Sequence, residues 1–158
     1  MYGMAQPIQG PLNVGNLRTI TTYRAGILQA SSVRALRKHC DRVLAPYGIT
    51  KSEWLIVGAA LDAGQEGITL KELAPQLDTT ITRLNSAVQS LEARGKVLTC
   101  AAKTVSKKSI CINPAFALDC AEIERSLRTD LRETIYANVS PLEFRIYLKV
   151  LYQLSLLK

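Results

Sequence analysis

The chain has little of what metal sites and enzymes are usually built from. Its 158 residues include one histidine, His39, and four cysteines, Cys40, Cys100, Cys111 and Cys120, with no CxxC pair among them. Zinc sites need clustered Cys and His ligands, so no structural metal is expected. There is no Gly-rich phosphate loop, no HExxH and no GxSxG, which argues against the enzyme classes those motifs serve. The expectation is a non-enzyme without a cofactor. Long apolar runs are missing too. The longest covers residues 54–61, far short of the ~20 residues a membrane span needs. The N-terminus carries no Arg/Lys-flanked apolar stretch, so neither membrane nor secretion is expected, and the cytoplasm is the expected compartment. In that reducing setting the cysteines read as free, mostly buried thiols.

What is present is a core and a basic balance. Hydrophobic residues make up 47% of the chain and the formal charge is +7. The charge is unevenly spread. Residues 17–48 hold six Lys/Arg against one acidic residue, and residues 69–108 hold seven against three. Residues 49–68 are net acidic and residues 109–158 balance. Two local positive excesses suit phosphate neutralisation, although charge that merely keeps a protein soluble reads the same way.

Residues 1–16 contain three Gly and two Pro without periodicity and read as a flexible arm. A helical pattern runs from about Leu17 to Leu44, ended by Pro46 and Gly48. Thr50-Lys-Ser-Glu53 is a capping box that opens a second helix. Thr69-Leu-Lys-Glu72 is another, opening a short helix in which Pro75 threatens a kink. Thr79 or Thr80 caps the next helix, which runs to Arg94, turns Leu84, Val88 and Leu91 inward, and ends at Gly95, a left-handed C′ residue. Two apolar segments, residues 97–100 and 110–112, then read as a hairpin. Cys100 and Cys111 would face each other across it, with Lys103, Lys107 and Lys108 near its tip. A long helix follows over about 117–138. Ser140-Pro-Leu-Glu143 is a third capping box and opens the last helix.

That last helix has one polar stripe, Arg145, Lys149 and Gln153, and is apolar nearly everywhere else. Such a helix must be buried on most sides, and a second subunit is the natural cover. Phe144, Tyr147, Leu148, Leu151 and Leu154 are the expected dimerisation residues.

The short helix, polar break and longer helix over residues 69–97 form a helix-turn-helix, whose second helix enters the DNA major groove. The face of that helix away from the core offers Thr80, Thr82, Arg83, Asn85, Ser86 and Gln89. Hydroxyls near a helix N-terminus suit phosphates, Arg pairs with guanine, and Asn or Gln pairs with adenine. With Lys103, Lys107 and Lys108 these are the candidate DNA-binding residues, and double-stranded DNA is the expected partner. The bland alternative is the solvated face of an amphipathic helix.

The segment Tyr47-Gly-Ile-Thr-Lys-Ser-Glu-Trp54 resembles the opening of the second helix in the MarR family of winged helix-turn-helix regulators. Leu70-Lys-Glu-Leu-Ala74, Leu84, Val88, Leu91-Glu-Ala-Arg-Gly95 and Val97 resemble that family's helix-turn-helix. The resemblance covers roughly residues 18–157. It implies a mainly α protein: a winged helix-turn-helix with a two-stranded wing, and a helical dimerisation part formed by the first and last helices. In those terms residues 17–48 and 115–158 form the dimerisation part and residues 49–114 the DNA-binding lobe. The implied function is a homodimeric regulator, a repressor of palindromic operators, released by a small aromatic effector between its lobes. Tyr23, His39, Tyr47 and Trp54, together with Tyr136, would line that cleft, although ordinary packing explains the same residues. One departure stands out. The family wing carries an Asp-x-Arg signature, and no Asp or Arg occurs between Gly95 and Pro114. Either Lys107 or Lys108 replaces that Arg, or operator reading is lost and the dimer serves as a protein-interaction or antirepressor module.

Overall fold

The computed structural model describes residues 22–101 and 108–157. The sequence-predicted arm over residues 1–16 and the start of the first helix lie outside the described residues. The chain divides into two compact units after Ala35. Helix α1, Thr22–Leu44, begins in the first unit. There its residues are mostly exposed, Ile27 and Val33 among them, and Ser32 donates to the Leu28 carbonyl one turn back at 2.8 Å.

The second unit contains the end of α1 and the elements α2 (Lys51–Asp62), β1 (Ile68–Thr69), α3 (Leu70–Gln76), α4 (Ile81–Ala93), β2 (Val97–Ala101), β3 (Lys108–Ile112), α5 (Ala117–Asp130) and α6 (Pro141–Ser155). All three capping boxes form. The Thr50, Thr69 and Ser140 hydroxyls accept from the Glu53, Glu72 and Glu143 amides, and each Glu carboxylate reaches back to its cap's N–H. Each box satisfies amides that the first turn leaves without a helical partner. Pro75 stands in the last turn of α3, so the helix bond it removes lies where the helix ends anyway.

The core joins α1, α2, α3, α4, β2 and α5 through Leu44, Ile56, Val57, Leu73, Leu84, Leu91, Val97 and Ile123, all buried. The strands form one antiparallel sheet in the order β1-β3-β2, with Ile68 opposite Ile110 and Thr99 also opposite Ile110 on the other side. The expected two-stranded wing therefore has a third strand at its base. Two residues, the second of them the cap of α3, are too few to show a strand's alternation. Gly67 itself is required: its φ is +68°, and a Cβ there would lie 2.8 Å from the Ile110 carbonyl oxygen.

Two further expectations are corrected. Helix α5 stops at Asp130 and continues only as a π-helical turn, Leu131–Ile135, closed by the Tyr136 amide on the Leu131 carbonyl at 2.9 Å. No Gly or Pro marks that change in the sequence. Cys100 and Cys111 are not free thiols but form a disulfide. Cys100 pairs with Ser109 and Cys111 with Leu98, so the two cysteines are diagonal neighbours on one face, with Cα atoms 6.2 Å apart. Cys40 and Cys120 remain free.

Candidate nucleic-acid interface

The helix-turn-helix consists of α3, a turn through Leu77–Thr80, and α4. In the turn Asp78 adopts φ +48°, a left-handed conformation that Asp tolerates better than most residues. The Thr79 amide closes the turn on the Ala74 carbonyl at 3.1 Å. Helix α4 then starts at Ile81 with Thr80 as its cap, the Thr80 hydroxyl accepting from the Arg83 amide at 3.3 Å. Leu84, Val88 and Leu91 are buried and hold the helix to the core.

That anchoring leaves Thr80, Thr82, Arg83, Asn85, Ser86 and Gln89 exposed. At 3.6 residues per turn, Thr82, Asn85, Ser86 and Gln89 share the outward face and Arg83 flanks it. The Ser86 hydroxyl donates to the Thr82 carbonyl at 3.3 Å. Among the described residues the Arg83 guanidinium makes no ion pair.

The first turn of α4 differs from those of α2, α3, α5 and α6. Each of the others carries an acidic residue there, and α4 carries none. In the three capping boxes the third helical position is Glu, and in α4 it is Arg83. A carboxylate in the first turn compensates the positive end of the helix. Here that end stays uncompensated and has a cation added to it, which favours an anion such as phosphate. Ile81 was not anticipated. It continues the inward spacing of Leu84, Val88 and Leu91, yet it is 51% exposed, because the first turn of α4 projects beyond the core.

The other anticipated residues are placed as follows. Lys103 and Lys107, and the side chain of Lys108, lie outside the described residues. Lys96, at the base of the wing, sits over the Phe116 ring, 4.0 Å from its centroid. The side chain of Tyr23 is also outside the described set. His39 Nδ1 lies 3.2 Å from Asp130 Oδ2, and Arg42 pairs with the same carboxylate. Tyr47 and Trp54 pack against the core. Burial raises the Tyr47 phenol above its ordinary range, and the neighbouring Glu122 carboxylate adds to the shift. Tyr136 is raised by burial and by Tyr147, and it stacks edge-on against Phe144 at 4.9 Å. Two open clefts are lined instead by Arg125, Ser126, Thr129, Asp130 and Glu133, and by residues around Glu53 and Arg94. In α6, Tyr147, Leu148, Leu151 and Leu154 are exposed and Phe144 is half-buried. No described helix is long and apolar enough to cross a membrane.

No protein-family model and no curated protein matches the sequence. Solved structures do match it. The transcriptional regulator PA3341 is 27% identical, with a TM-score of 0.68 over 82% of this chain and 93% of that one. A MarR-family transcriptional regulator from Rhodococcus sp. RHA1 is 13% identical, with a TM-score of 0.76 over 88% and 97%. The Mycobacterium tuberculosis MarR-family protein Rv2887 in complex with DNA is 20% identical, with a TM-score of 0.63 over 82% and 95%. That protein has also been solved with salicylic acid. The order of elements, the three-stranded winged sheet and the near-complete coverage of these regulators agree: the chain has the winged helix-turn-helix fold of the MarR-family transcriptional regulators.

Proposed function

We propose that the chain is a DNA-binding transcriptional regulator that acts as a homodimer on inverted-repeat operators, with repression as its effect. The observation that carries this reading is the first turn of α4. It has a helix end without a carboxylate in its first turn, an arginine that forms no ion pair among the described residues, and an exposed row of Thr, Asn, Ser and Gln. The three capping-box helices carry Glu at the position of that arginine. Thr80 and Thr82 serve phosphates, Arg83 reads a guanine edge, and Asn85 and Gln89 read adenine. Lys103, Lys107 and Lys108 of the wing add backbone contacts. A small aromatic effector acting near His39, Tyr47 and Trp54 is the proposed release signal. The salicylic acid complex of the Mycobacterium tuberculosis protein supports it by analogy.

Selection of purified protein against genomic fragments at two salt concentrations tests the reading. An inverted repeat with half-sites about one helical turn apart is the expected recovery. On that operator Arg83→Ala should weaken binding by ~1–3 kcal/mol; unchanged affinity removes Arg83 from the contact. The absence of Asp and Arg between Gly95 and Pro114 favours a second reading, a protein-interaction or antirepressor module. Failure to enrich any DNA sequence at either salt concentration would select it.

A further inference from the structure

The far end of α4 is tied down as thoroughly as its first turn is left open. Arg94 follows the last helical residue. Its Nε donates to the Ser90 carbonyl at 3.1 Å, Nη2 to the Ser90 hydroxyl at 3.3 Å, Nη1 to the Gly48 carbonyl, and Nη2 also to Glu53 Oε1. Most of the five guanidinium donors are thus consumed inside the protein. Glu53 is shared. Its Oε2 accepts from the Thr50 amide at 2.9 Å and completes the capping box of α2, while its Oε1 holds Arg94. Glu53 is half-buried and Arg94 lies at the surface, the side chains being 16% and 35% exposed.

Two neighbours complete the attachment. Glu92 Oε1 accepts from the Thr99 amide of β2 at 3.0 Å, and Asn113 Nδ2 donates to the Gly95 carbonyl at 2.8 Å. The C-terminal end of α4 is thereby bonded to the start of α2, to the edge strand of the sheet, and to the segment after β3.

We propose that Arg94 and Glu53 are positioning residues for base reading: they touch no DNA, and they fix the angle at which α4 presents Arg83, Asn85 and Gln89. This rests on the DNA-reading role proposed above. The lever is long. Arg83 and Arg94 are eleven residues apart, about 16 Å along a helix, so a tilt of roughly 10° about the anchored end moves Arg83 by about 3 Å. A hydrogen bond to a base edge tolerates only a few tenths of an ångström. Contacts to phosphate, made by long flexible cations, survive such a tilt. Loosening the anchor therefore erodes selectivity before it erodes affinity for DNA in general.

The test compares binding of the full chain to its selected operator and to an unrelated duplex of equal length, across a salt series. Glu53→Gln retains a side chain that can complete a capping box and removes the charge that holds Arg94. Thr50→Ala removes the hydroxyl cap and leaves the ion pair. Glu53→Gln should lower the ratio of operator to unrelated affinity about tenfold with an unchanged salt slope. Thr50→Ala should lower the melting temperature with an unchanged ratio. A ratio for Glu53→Gln equal to wild type overturns the proposal while leaving DNA reading intact. So does a loss of about one from the salt slope in Arg94→Ala, which marks a direct phosphate contact. A wild-type protein that binds both duplexes equally overturns the DNA-reading role and this proposal together.

Discussion

Arg83 occupies the position at which the three capping-box helices carry Glu, so the difference in local charge between those helix ends and that of α4 rests on one side chain. The contrast is visible in the sequence as Thr50-x-x-Glu53, Thr69-x-x-Glu72 and Ser140-x-x-Glu143 against Thr80-x-x-Arg83. The exposed residues of α4 were legible for the same reason, since the core stripe of Leu84, Val88 and Leu91 fixes which face is free. The bonds of Arg94 were not legible, because Gly48 and Glu53 lie more than forty residues away in the chain. Cys120 illustrates a buried group with a pH signature. It is 2% exposed, and burial, with Asp119 beside it, pushes its thiol up to about 11. Below the ordinary thiol range both the folded and unfolded chains keep the proton, and Cys120 has no effect on pH dependence. From about pH 9 to 11 the unfolded chain ionises while the folded chain does not, so stability falls as pH rises. Between pH 7 and 10.5 wild type should lose on the order of 2 kcal/mol more than Cys120→Ala in urea titrations. The cavity left by the alanine shifts both pH values alike and cancels. Identical losses would mean that the thiol ionises as freely as in the unfolded chain.

At the scale of elements, the three capping boxes and the glycine after α4 announce helix boundaries because each works through neighbours within one turn. Elements defined by distant partners were hidden. Strand β1 exists because Ile68 and Thr69 lie alongside Ile110 and Ser109, and nothing local specifies it. The disulfide depends on the hairpin register, in which Cys100 and Cys111 are diagonal rather than directly opposite. The π-helical turn after Asp130 has no sequence marker at all. Gly67 is where this hidden sheet becomes testable. A methyl group there meets Ile110, Cys111 and Ser109 within 2.9 Å, on a backbone with φ +68°. Gly67→Ala should cost about 1–3 kcal/mol through strain, whereas Gly64→Ala has the same sign of φ but open space around it and should cost less. Thermal unfolding of the two variants separates close packing from backbone conformation. Equal losses would show that β3 does not press on Gly67 in solution.

For the whole molecule, the apolar surface of α6 is the feature that the rest of the second unit leaves uncovered among the described residues. Leu142, Ile146, Leu148, Val150, Leu151 and Leu154 are all exposed, and the helix contributes no residue to the buried core. Burying apolar surface is worth roughly 25 cal/mol per Å², and contiguous exposed patches of this kind mark interfaces. The anchor within the chain is the aromatic group of Tyr136, Phe144 and Tyr147, whose centroids lie 4.9–6.4 Å apart. It fixes the start of α6 and leaves its later turns bare. A second copy is the cover we propose, because one regulator must present two recognition helices to read two half-sites. Light scattering at micromolar concentration should therefore give about twice the 17.4 kDa chain mass. Replacing Leu148 and Leu151 by Asp should return the mass to that of one chain without unfolding it, since neither residue is in the core. The same variant should bind a single half-site as wild type does and lose its advantage on the inverted repeat. A wild-type protein that runs as a monomer would remove the dimeric operator reading, whatever α4 does on its own.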